Sequence, residues 1–492
     1  MTNAMPVVAD EDLSETIVYR MLADHLQDKY VWVRGLAWYR WTGSRWESVS
    51  DDHVRDVTAR WVRSRYLDAL TDANGEMTGS AMGTAADWEK YQNRGKIDSI
   101  RSMAKGALEI QAGDLDRDPD LLNCTNGTVD LRTGELRTHD PRDYITKTTG
   151  HDYTPDPWHA DWEEALAAVP ADVLPWLKVK FGQGITGHTP DDDRVLFLHG
   201  SGANGKSTII AAIASAIGDY YHVAAPRAVL APPGAHSTEL ADFRGARFAV
   251  LEELPDRGLS VTRVKTLAGT QKITARHIAK DSVVFDASHT MFVTTNHHPQ
   301  VTETDHGTWR RLTLVKFPYT FTEDPDPAIP TQRKGDPGLR QRITAGDGVF
   351  ASAVLAWLVE GAREWYAAGQ ITPEPPELVA RDTQAWRMES DIALRFWNDC
   401  LDASPGTFMP SADLYLAYTE WADNHDLPSI APKVLFPKLA AHEIAEQHGV
   451  SQVQIRTANL ADVSRHPKLA GTKLKKIARG WTGITLKSQP QG

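Results

Sequence analysis

The sequence contains very little cysteine. Only Cys124 and Cys400 occur among 492 residues, and they lie far apart in the chain. This usage indicates neither a disulfide framework nor a zinc site built from thiolates, and it suits a reducing compartment. Long apolar runs are missing as well, and residues 1–20 are acidic with no apolar segment. We therefore expect a cytoplasmic protein that has no membrane partner.

Positive charge is also scarce over the chain as a whole. The 53 Lys and Arg residues are outnumbered by 65 Asp and Glu residues, which gives a formal net charge of −12. This balance argues weakly against a polyanionic partner, but it averages over regions of different charge. Since 41% of the residues are hydrophobic, the chain can bury large cores, and its length predicts three or four domains.

The C-terminal stretch 431–492 reverses this charge balance. It contains ten Lys and Arg residues but only three Asp and Glu residues, a formal excess of seven positive charges. Residues 434–449 have helical spacing, and residues 471–487 form a basic segment that runs into a short strand. The pattern predicts a small helix-and-wing module on a nucleic-acid backbone. A solvated basic face that binds no ligand is the alternative.

A glycine-punctuated loop lies between two apolar runs in LFLHGSGANGKSTII, residues 196–210. The run 195–198 is typical of a buried strand, and Gly218 is placed to end a helix. Between the loop and Gly218, apolar residues recur at three- and four-residue steps: Ile209, Ile210, Ile213 and Ile217. The sequence therefore predicts a strand, a loop and a helix.

The loop fits the pattern G-x-x-x-x-G-K-[ST], which binds phosphates. Its glycines let successive backbone N–H groups converge on phosphate oxygens at the start of a helix. Lys206 would contact the β- and γ-phosphates, and Ser207 would ligate Mg²⁺. The predicted nucleotide-binding residues in the loop are Gly200, Gly202, Asn204, Gly205, Lys206 and Ser207.

Polar residues follow the next predicted strands. The apolar strand in RFAVLEELP, residues 247–255, ends at Glu252 and Glu253. One of these carboxylates would hold Mg²⁺ through water while the other orients the attacking water. A further strand ends at Asn296, whose amide can polarise that water, although it could simply cap a turn. Arg310 and Arg311 precede another strand, from which a guanidinium could reach a phosphate held by a neighbouring subunit.

These motifs together resemble a known family. Their order over residues 194–321, with LAGTQKITARHIAKDSVVFDAS between the acid pair and the asparagine, is similar to the superfamily 3 helicase core of phage, plasmid and poxvirus primase-helicases. Residues 121–153 and the C-terminal basic segment resemble the family more loosely. The resemblance implies an AAA+ type ATPase that uses ATP and Mg²⁺, assembles as a ring, usually a hexamer, and moves along single-stranded DNA.

The family also implies roles for single residues. Lys206, Ser207 and the following Thr208 match its phosphate-binding motif. Glu252 and Glu253 match its acidic motif, with the metal-facing residue and the base left undecided, and Asn296 matches its sensor asparagine. The pair Arg310 and Arg311 matches the arginine finger that acts in trans, and Arg310 is slightly favoured.

A further segment matches the hairpin that lines the pore of such rings. Its candidate contacts to the DNA backbone are Lys272, Arg276, His277 and Lys280. A positive hairpin inside a ring suits movement along phosphates without base readout. The alternative is a hairpin that packs against the sheet.

The sequence thus predicts an α/β protein in five parts. These are an N-terminal α+β domain (1–155), a helical collar (156–190), an AAA+ type P-loop ATPase core (191–322), a helical segment and linker (323–390), and a basic winged-helix-like DNA-binding domain (391–492). About 120 residues precede LLNCTNG without a metal-carboxylate strand, so primer synthesis is not expected, and a separate primase or polymerase is the expected partner.

The expected function is that of a replicative DNA helicase of a phage or similar element, acting on single-stranded DNA and replication forks as a homo-hexamer. One alternative is an ATP-switched initiator that binds an origin without unwinding it. A second alternative is a translocase on double-stranded DNA, against which the hairpin motif argues.

Overall fold

The computed structural model describes residues 13–75, 79–225, 238–252, 268–269, 271–276, 282–299, 301, 306–346, 348–425, 427 and 429–487. At residues 72–75, 79–82, 238–239, 276, 282–283 and 306 it describes the backbone only.

The N-terminal part combines four helices with a small mixed sheet. Its elements are α1 (Glu15–Leu26), β1 (Tyr30–Val33), β2 (Trp38–Trp41), β3 (Trp46–Val49), α2 (Asp51–Gly75), α3 (Gly79–Lys90), α4 (Arg94–Ala107) and β4 (Glu109–Ile110). The sheet has the order β3-β2-β1-β4, and only β4 pairs in parallel. In the sequence, the alternation of aromatic and polar residues around Gly35 and Gly43 predicts hairpins here. The structure confirms them, with both glycines at positive φ in the turns. Trp38 and Trp46 are buried core residues.

The next segment is a three-stranded antiparallel sheet followed by two helices. Its elements are β5 (Leu121–Cys124), β6 (Gly127–Asp130), β7 (Glu135–Arg137), α5 (Ala160–Leu166) and α6 (Leu174–Gly184). Leu122 and Val129 belong to the same apolar cluster as the helices that follow and as the central sheet. The sheet therefore packs on the centre of the molecule.

The central sheet is entirely parallel. This region comprises β8 (Val195–His199), α7 (Lys206–Ile217), β9 (Tyr221–Val223), α8 (Thr238–Ala241), β10 (Phe248–Leu251), β11 (Lys272–Arg276), β12 (Ser282–Asp286), β13 (Thr290–Thr295), α9 (His306–Trp309) and β14 (Leu312–Lys316). The strand order is β14-β8-β13-β10-β9, while β11 and β12 form a separate hairpin. Continuous apolar strands such as Phe248–Leu251 are buried on both faces, as a covered parallel sheet requires. The predicted strand, loop and helix around residue 200 are confirmed, and Gly218 ends α7.

Helices on the C-terminal side complete this core. The elements are β15 (Thr320–Thr322), β16 (Gln332–Lys334), α10 (Leu339–Ala345), α11 (Gly348–Ala367) and α12 (Glu377–Ser390). Helices α6 and α11 touch through glycines, because a Cβ on Gly182 would lie 2.2 Å from the Gly361 carbonyl carbon. No single helix in the described part of the chain is long and apolar enough to cross a membrane, whereas the bent pair α10 and α11 together reaches the length and composition of a span.

The C-terminal module has a core of its own. It contains α13 (Ile392–Cys400), β17 (Leu401–Pro410), α14 (Ser411–Asn424), α15 (Pro432–Ala440), α16 (Glu443–Gln447), β18 (Ser451–Arg456) and β19 (Ile477–Leu486). The antiparallel sheet has the order β17-β19-β18, and Phe396 and Trp481 are fully buried beneath it. The helical spacing at 434–449 corresponds to two short helices, because His442 interrupts it and caps α16.

The five-part division of the chain stays a prediction. Two of its boundaries can be compared with the packing of apolar residues. One cluster extends from Leu122 to Val379 and joins the predicted N-terminal domain, collar, ATPase core and helical segment. A separate cluster from Ala393 to Ile484 lies within the predicted C-terminal domain.

Short 3-10 helices lie at Ala112–Asp114, Pro141–Asp143, Gly218–Tyr220, Thr457–Asn459 and Pro467–Leu469.

Candidate nucleotide-binding site

The glycine loop connects β8 to α7 in a backbone conformation that suits glycine. Gly202 and Gly205 have φ values of 110° and 81°, in the region that favours glycine, and Ala203 also has a positive φ of 47°. A Cβ on Gly200 would lie 1.8 Å from Asn204 Nδ2, and one on Gly205 would lie 2.5 Å from Ala168 Cβ. The loop therefore turns tightly at the carboxyl end of a parallel strand, where α/β sheets bind ligands.

Lys206, the first residue of α7, is buried in a cage of neutral oxygens. Its Nζ donates to Gly200 O at 2.6 Å, Asn204 Oδ1 at 3.1 Å and Asn296 Oδ1 at 3.3 Å. Burial lowers the pKa of Lys206 to about 8, because the charged ammonium loses solvation. An anion placed at this ammonium would be strongly stabilised, as a phosphate is in loops of this type.

Asn296 reaches the cage from the next strand of the sheet. It follows β13, which pairs in parallel with β8, so the two strands end at the same edge. Asn204 adds a second polar group, since its Nδ2 is buried and has no hydrogen-bond partner among the described residues. A buried amide donor of this kind suits a phosphate oxygen, and the loop residues therefore fit a nucleoside triphosphate.

The remaining candidate residues that the structure describes, which would bind Mg²⁺ or orient water, are more exposed to solvent than Lys206. Ser207 is exposed and Thr208 half-buried on the first turn of α7, and Glu252 is exposed just after β10. Hydroxyl and carboxylate oxygens are ligands that Mg²⁺ prefers, so Ser207 and Glu252 have suitable chemistry. The Tyr221 hydroxyl donates to Glu252 Oε1 at 3.4 Å, and burial together with this carboxylate raises the pKa of Tyr221. Glu253 lies outside the described residues.

The structure separates the two arginines. Arg311 donates to Gly307 O at 2.7 Å and to Asp193 Oδ2 at 3.1 Å, so its guanidinium is bound within its own chain. Arg310 is exposed. Of the two, Arg310 is the one whose guanidinium is open to a partner from outside the chain.

The β11–β12 hairpin has one face in the core and one in solvent. Ile273, Ala275 and Phe285 are buried, whereas Val284 is 53% exposed. Lys272 is exposed and lies 3.6 Å from Asp286, its partner across the hairpin. Arg276 is described by its backbone only, and His277 and Lys280 lie outside the described residues. The hairpin thus packs against the sheet and also presents an outer face.

A cavity of about 330 Å³ opens beside the loop. Gly205 and Thr208 form one wall, and apolar side chains such as Ala168 just after α5, Phe321 of β15 and Leu339 of α10 supply most of the remaining surface. Charged side chains line it as well: Glu164, Glu323, Asp336 and Arg340. No sequence pattern indicates this cavity, because its walls come from three separate segments, within 164–168, 203–208 and 321–340, and most of these residues belong to no motif.

Comparison with known families matches two parts of the chain. Residues 19–169 match the family described as "D5 N terminal like". Residues 198–311 match a family described as "Family of unknown function (DUF5906)". The second match extends from Leu198 in β8, just before the glycine loop, to Arg311.

Several proteins of large DNA viruses are similar to the chain. The African swine fever virus protein named "Putative primase C962R" is 26% identical over 328 residues, which is 62% of this chain and 34% of that protein. The mimivirus protein named "Putative helicase L207/L206" is 23% identical over 445 residues, or 82% of this chain and 45% of that protein. The matched regions thus span between a third and a half of these relatives.

A solved structure of the C-terminal region of NrS-1 aligns with 96% of this chain and all of that one, with a TM-score of 0.48 and 9% identity. The family match in the N-terminal third, together with viral relatives named as primases or helicases, confirms the primase-helicase resemblance. The chain is thus similar to D5-like primase-helicases, over residues 19–169 in particular.

Proposed function

We propose that this chain is the ATP-driven DNA helicase portion of a primase-helicase, of the superfamily 3 and AAA+ type. The observation that carries the proposal is the buried Lys206 ammonium, held by neutral oxygens at the carboxyl edge of the parallel sheet and joined there to Asn296. A cage of this kind suits a triphosphate, and Asn296 can sense the γ-phosphate because it lies on a different strand from the loop.

Each residue near the edge has a part in hydrolysis. Lys206 and the loop N–H groups bind the β- and γ-phosphates, and Ser207 and Glu252 would hold Mg²⁺. Bound Mg²⁺ supplies positive charge that offsets the charge of the phosphates. Glu253 and Asn296 orient the attacking water. The apolar cavity beside Gly205 and Thr208 takes the base, since it opens directly from the phosphate loop.

The exposed arginine favours a ring. Arg311 is held by Asp193, so the proposed finger is Arg310, which reaches the nucleotide of the neighbouring subunit in a homo-hexamer. We place the outer face of the β11–β12 hairpin, with Lys272, at the pore, and Arg276, His277 and Lys280 stay predicted contacts to the backbone of single-stranded DNA.

The C-terminal module adds a second DNA contact through its wing, defined as β18, β19 and the loop 457–476 between them. Five exposed cations of the wing have no carboxylate partner within the described ranges: Arg456, Lys473, Lys475, Lys476 and Arg479. Helix α16 is unsuited to phosphate, because it carries Glu443 and Glu446. The wing therefore provides the positive surface that binds duplex DNA, and the chain acts at replication forks in the host cytoplasm.

The test combines ATP hydrolysis with strand displacement. We expect the purified protein to hydrolyse ATP faster with single-stranded DNA and to displace a strand from a fork only when it hydrolyses ATP. ATP-dependent binding without displacement would favour the origin-binding initiator, and stimulation by duplex alone would favour the double-strand translocase. Primer synthesis is measured with the same preparation, with and without an added primase or polymerase.

The same ATPase assay tests the roles proposed for Glu252 and Glu253. We expect at least one of Glu252→Gln and Glu253→Gln to bind ATP while its hydrolysis collapses. Normal hydrolysis by both variants would contradict the proposed role of this pair.

A further inference from the structure

Helix α12 covers the edge of the central sheet at β14. Thr383 Oγ1 accepts the backbone N–H of Leu314 at 2.9 Å, and Asp382 Oδ1 accepts from Lys316 Nζ at 3.2 Å. Because β14 is the outermost strand on this side, the first contact satisfies a backbone N–H that a free edge would leave unpaired, and the second adds an ion pair between the strand and the helix. The helix is thereby held against the strand that follows the arginine pair.

Trp386, one turn further along α12, contacts both segments that carry the predicted sensor and finger. Its indole N–H donates to Pro299 O at 3.0 Å, and its ring centroid lies 5.3 Å from that of Trp309. The side chain is fully buried. Pro299 lies three residues after Asn296, and Trp309 immediately precedes Arg310. Trp386 therefore links two segments, which we call the sensor loop (residues 296–299) and the arginine turn (residues 309–311).

Glu389 lies three residues beyond Trp386, on the same side of the helix. Its Oε2 is 2.5 Å from Nδ1 of His298, two residues after Asn296. The His298 ring lies 4.4 Å from the ring of His199 at the end of β8. His199 immediately precedes Gly200, whose carbonyl accepts from Lys206. Glu389 thus reaches the sensor loop and, through two imidazoles, the beginning of the phosphate loop.

The same end of α12 is joined to the C-terminal module. Arg387 forms an ion pair with Glu443 on α16. Asp391, at the end of the helix, lies 2.9 Å from Nε2 of His442, and both side chains are fully buried. The last turn of α12, which contacts the sensor loop, is therefore held by β14 before it and by the C-terminal module after it.

We propose that Trp386 and Glu389 are positioning residues for ATP hydrolysis, an inference that rests on the proposed ATPase function. Glu389 holds the sensor loop so that Asn296 faces the nucleotide bound by its own subunit. Trp386 also holds the sensor loop, through Pro299, and it holds the arginine turn, through Trp309, so that Arg310 faces the neighbouring subunit. Neither residue contacts the phosphate loop directly; both act through the segments that they hold.

The first test compares Glu389→Ala and Trp386→Phe with Gln384→Ala, a control at an exposed position on the same helix. Positioning predicts that the affinity for an ATP analogue stays within about twofold, while kcat falls by roughly 10- to 100-fold, since small misplacements cost this much in catalysis. Glu389→Gln keeps a hydrogen-bond acceptor and should retain more activity than Glu389→Ala.

Thermal unfolding of each variant shows whether it folds. The Glu389 side chain is more than half exposed, so we expect its variants to fold. They therefore still test the proposal if Trp386→Phe loses stability. A kcat for both variants equal to that of Gln384→Ala overturns the proposal. A wild-type protein without ATPase activity overturns the proposed function instead.

The second test separates the two residues by mixing subunits. Lys206→Ala subunits keep an intact Arg310 and should restore hydrolysis to Arg310→Ala subunits. Adding Glu389→Ala to the Lys206→Ala chain should leave this rescue unchanged, whereas adding Trp386→Phe should reduce it at least severalfold. Equal rescue by both double variants overturns the role of Trp386 at the arginine turn. If Lys206→Ala subunits give no rescue, Arg310 does not act in trans, and the proposed role of Trp386 at the arginine turn is wrong as well.

Discussion

The proposed nucleotide-binding edge of the parallel sheet and the C-terminal wing both carry cations, but in opposite surroundings. Lys206 is buried among three neutral oxygens, whereas the five wing cations are exposed and have no carboxylate partner in the described part of the chain. A buried cation gains most from one anion at a defined place. Exposed cations act additively on a polyanion and are screened by salt. The comparison predicts geometric sensitivity at the edge and salt sensitivity at the wing.

Arg310 could break this comparison, because it is exposed in the single chain and yet is proposed to act at a buried site between subunits. Arg310→Ala should bind ATP almost normally and lose hydrolysis by roughly 10³- to 10⁵-fold, the range found for arginine fingers. ATPase rates with measured ATP affinity check this.

The matched control is Arg311→Ala, which removes the contacts to Asp193 and Gly307. We expect it to lower the melting temperature more than Arg310→Ala does. Native mass spectrometry must first show that differently tagged subunits exchange into one ring. If mixed rings of Arg310→Ala and Lys206→Ala form and no ATPase returns, Arg310 does not act in trans, and the same mixture with Arg311→Ala would show whether Arg311 does.

Removing the buried cation tests the edge directly. Lys206→Ala should weaken ATP binding and reduce turnover by roughly 10²- to 10³-fold, as removal of a preorganised donor does elsewhere. The measurements are ATPase rate and affinity for an ATP analogue. Lys29→Ala, at an exposed lysine of the N-terminal part, is the control and should change neither. ATPase near the wild-type value in Lys206→Ala would exclude the loop from the mechanism.

Neutralising the wing tests the other half of the comparison. Changing Arg456, Lys475 and Arg479 together to Gln should weaken duplex binding and reduce its salt slope by roughly 0.9 for each lost phosphate contact. ATPase without DNA should be unchanged. The control is the triple Gln variant of exposed cations outside the C-terminal module, Lys29, Arg63 and Lys334. Equal salt slopes for the two triple variants would support a solvated face that binds no ligand.

The smallest expected effect is a pH dependence at Lys206. Because burial lowers its pKa to about 8, the free protein carries the full ammonium charge below that pH and loses it as the pH rises further. ATP affinity should therefore be constant below about pH 8 and fall by at most about tenfold per pH unit above it. Titration calorimetry from pH 7 to 9.5 measures this, with melting temperatures at each pH as the control. A constant affinity over the whole range would contradict the assignment of Lys206.

Much of the fold near the site could be predicted from the sequence. The strand before residue 200, the helix after Lys206 and the N-terminal hairpins were predicted, because they depend on apolar periodicity and on glycine at turns. Residues 434–449 show helical spacing in the sequence but form two helices, and His442, which caps the second, contacts Asp391 fifty-one residues away. The cavity beside Gly205 carried no local signal.

The sequence by itself determined the glycine loop between strand and helix, four of the five strands of the parallel sheet, the order of the polar residues after them and the basic charge of the C-terminal module, since each depends on neighbouring residues. Only the tertiary structure decided that Arg311 is bound by Asp193 while Arg310 is exposed, because these partners are 118 positions apart. It alone placed Trp386 and Glu389 of α12 against the sensor loop, 87 and 91 positions away. Such contacts form when an edge strand and a buried indole need partners, and no local pattern specifies which distant segment provides them.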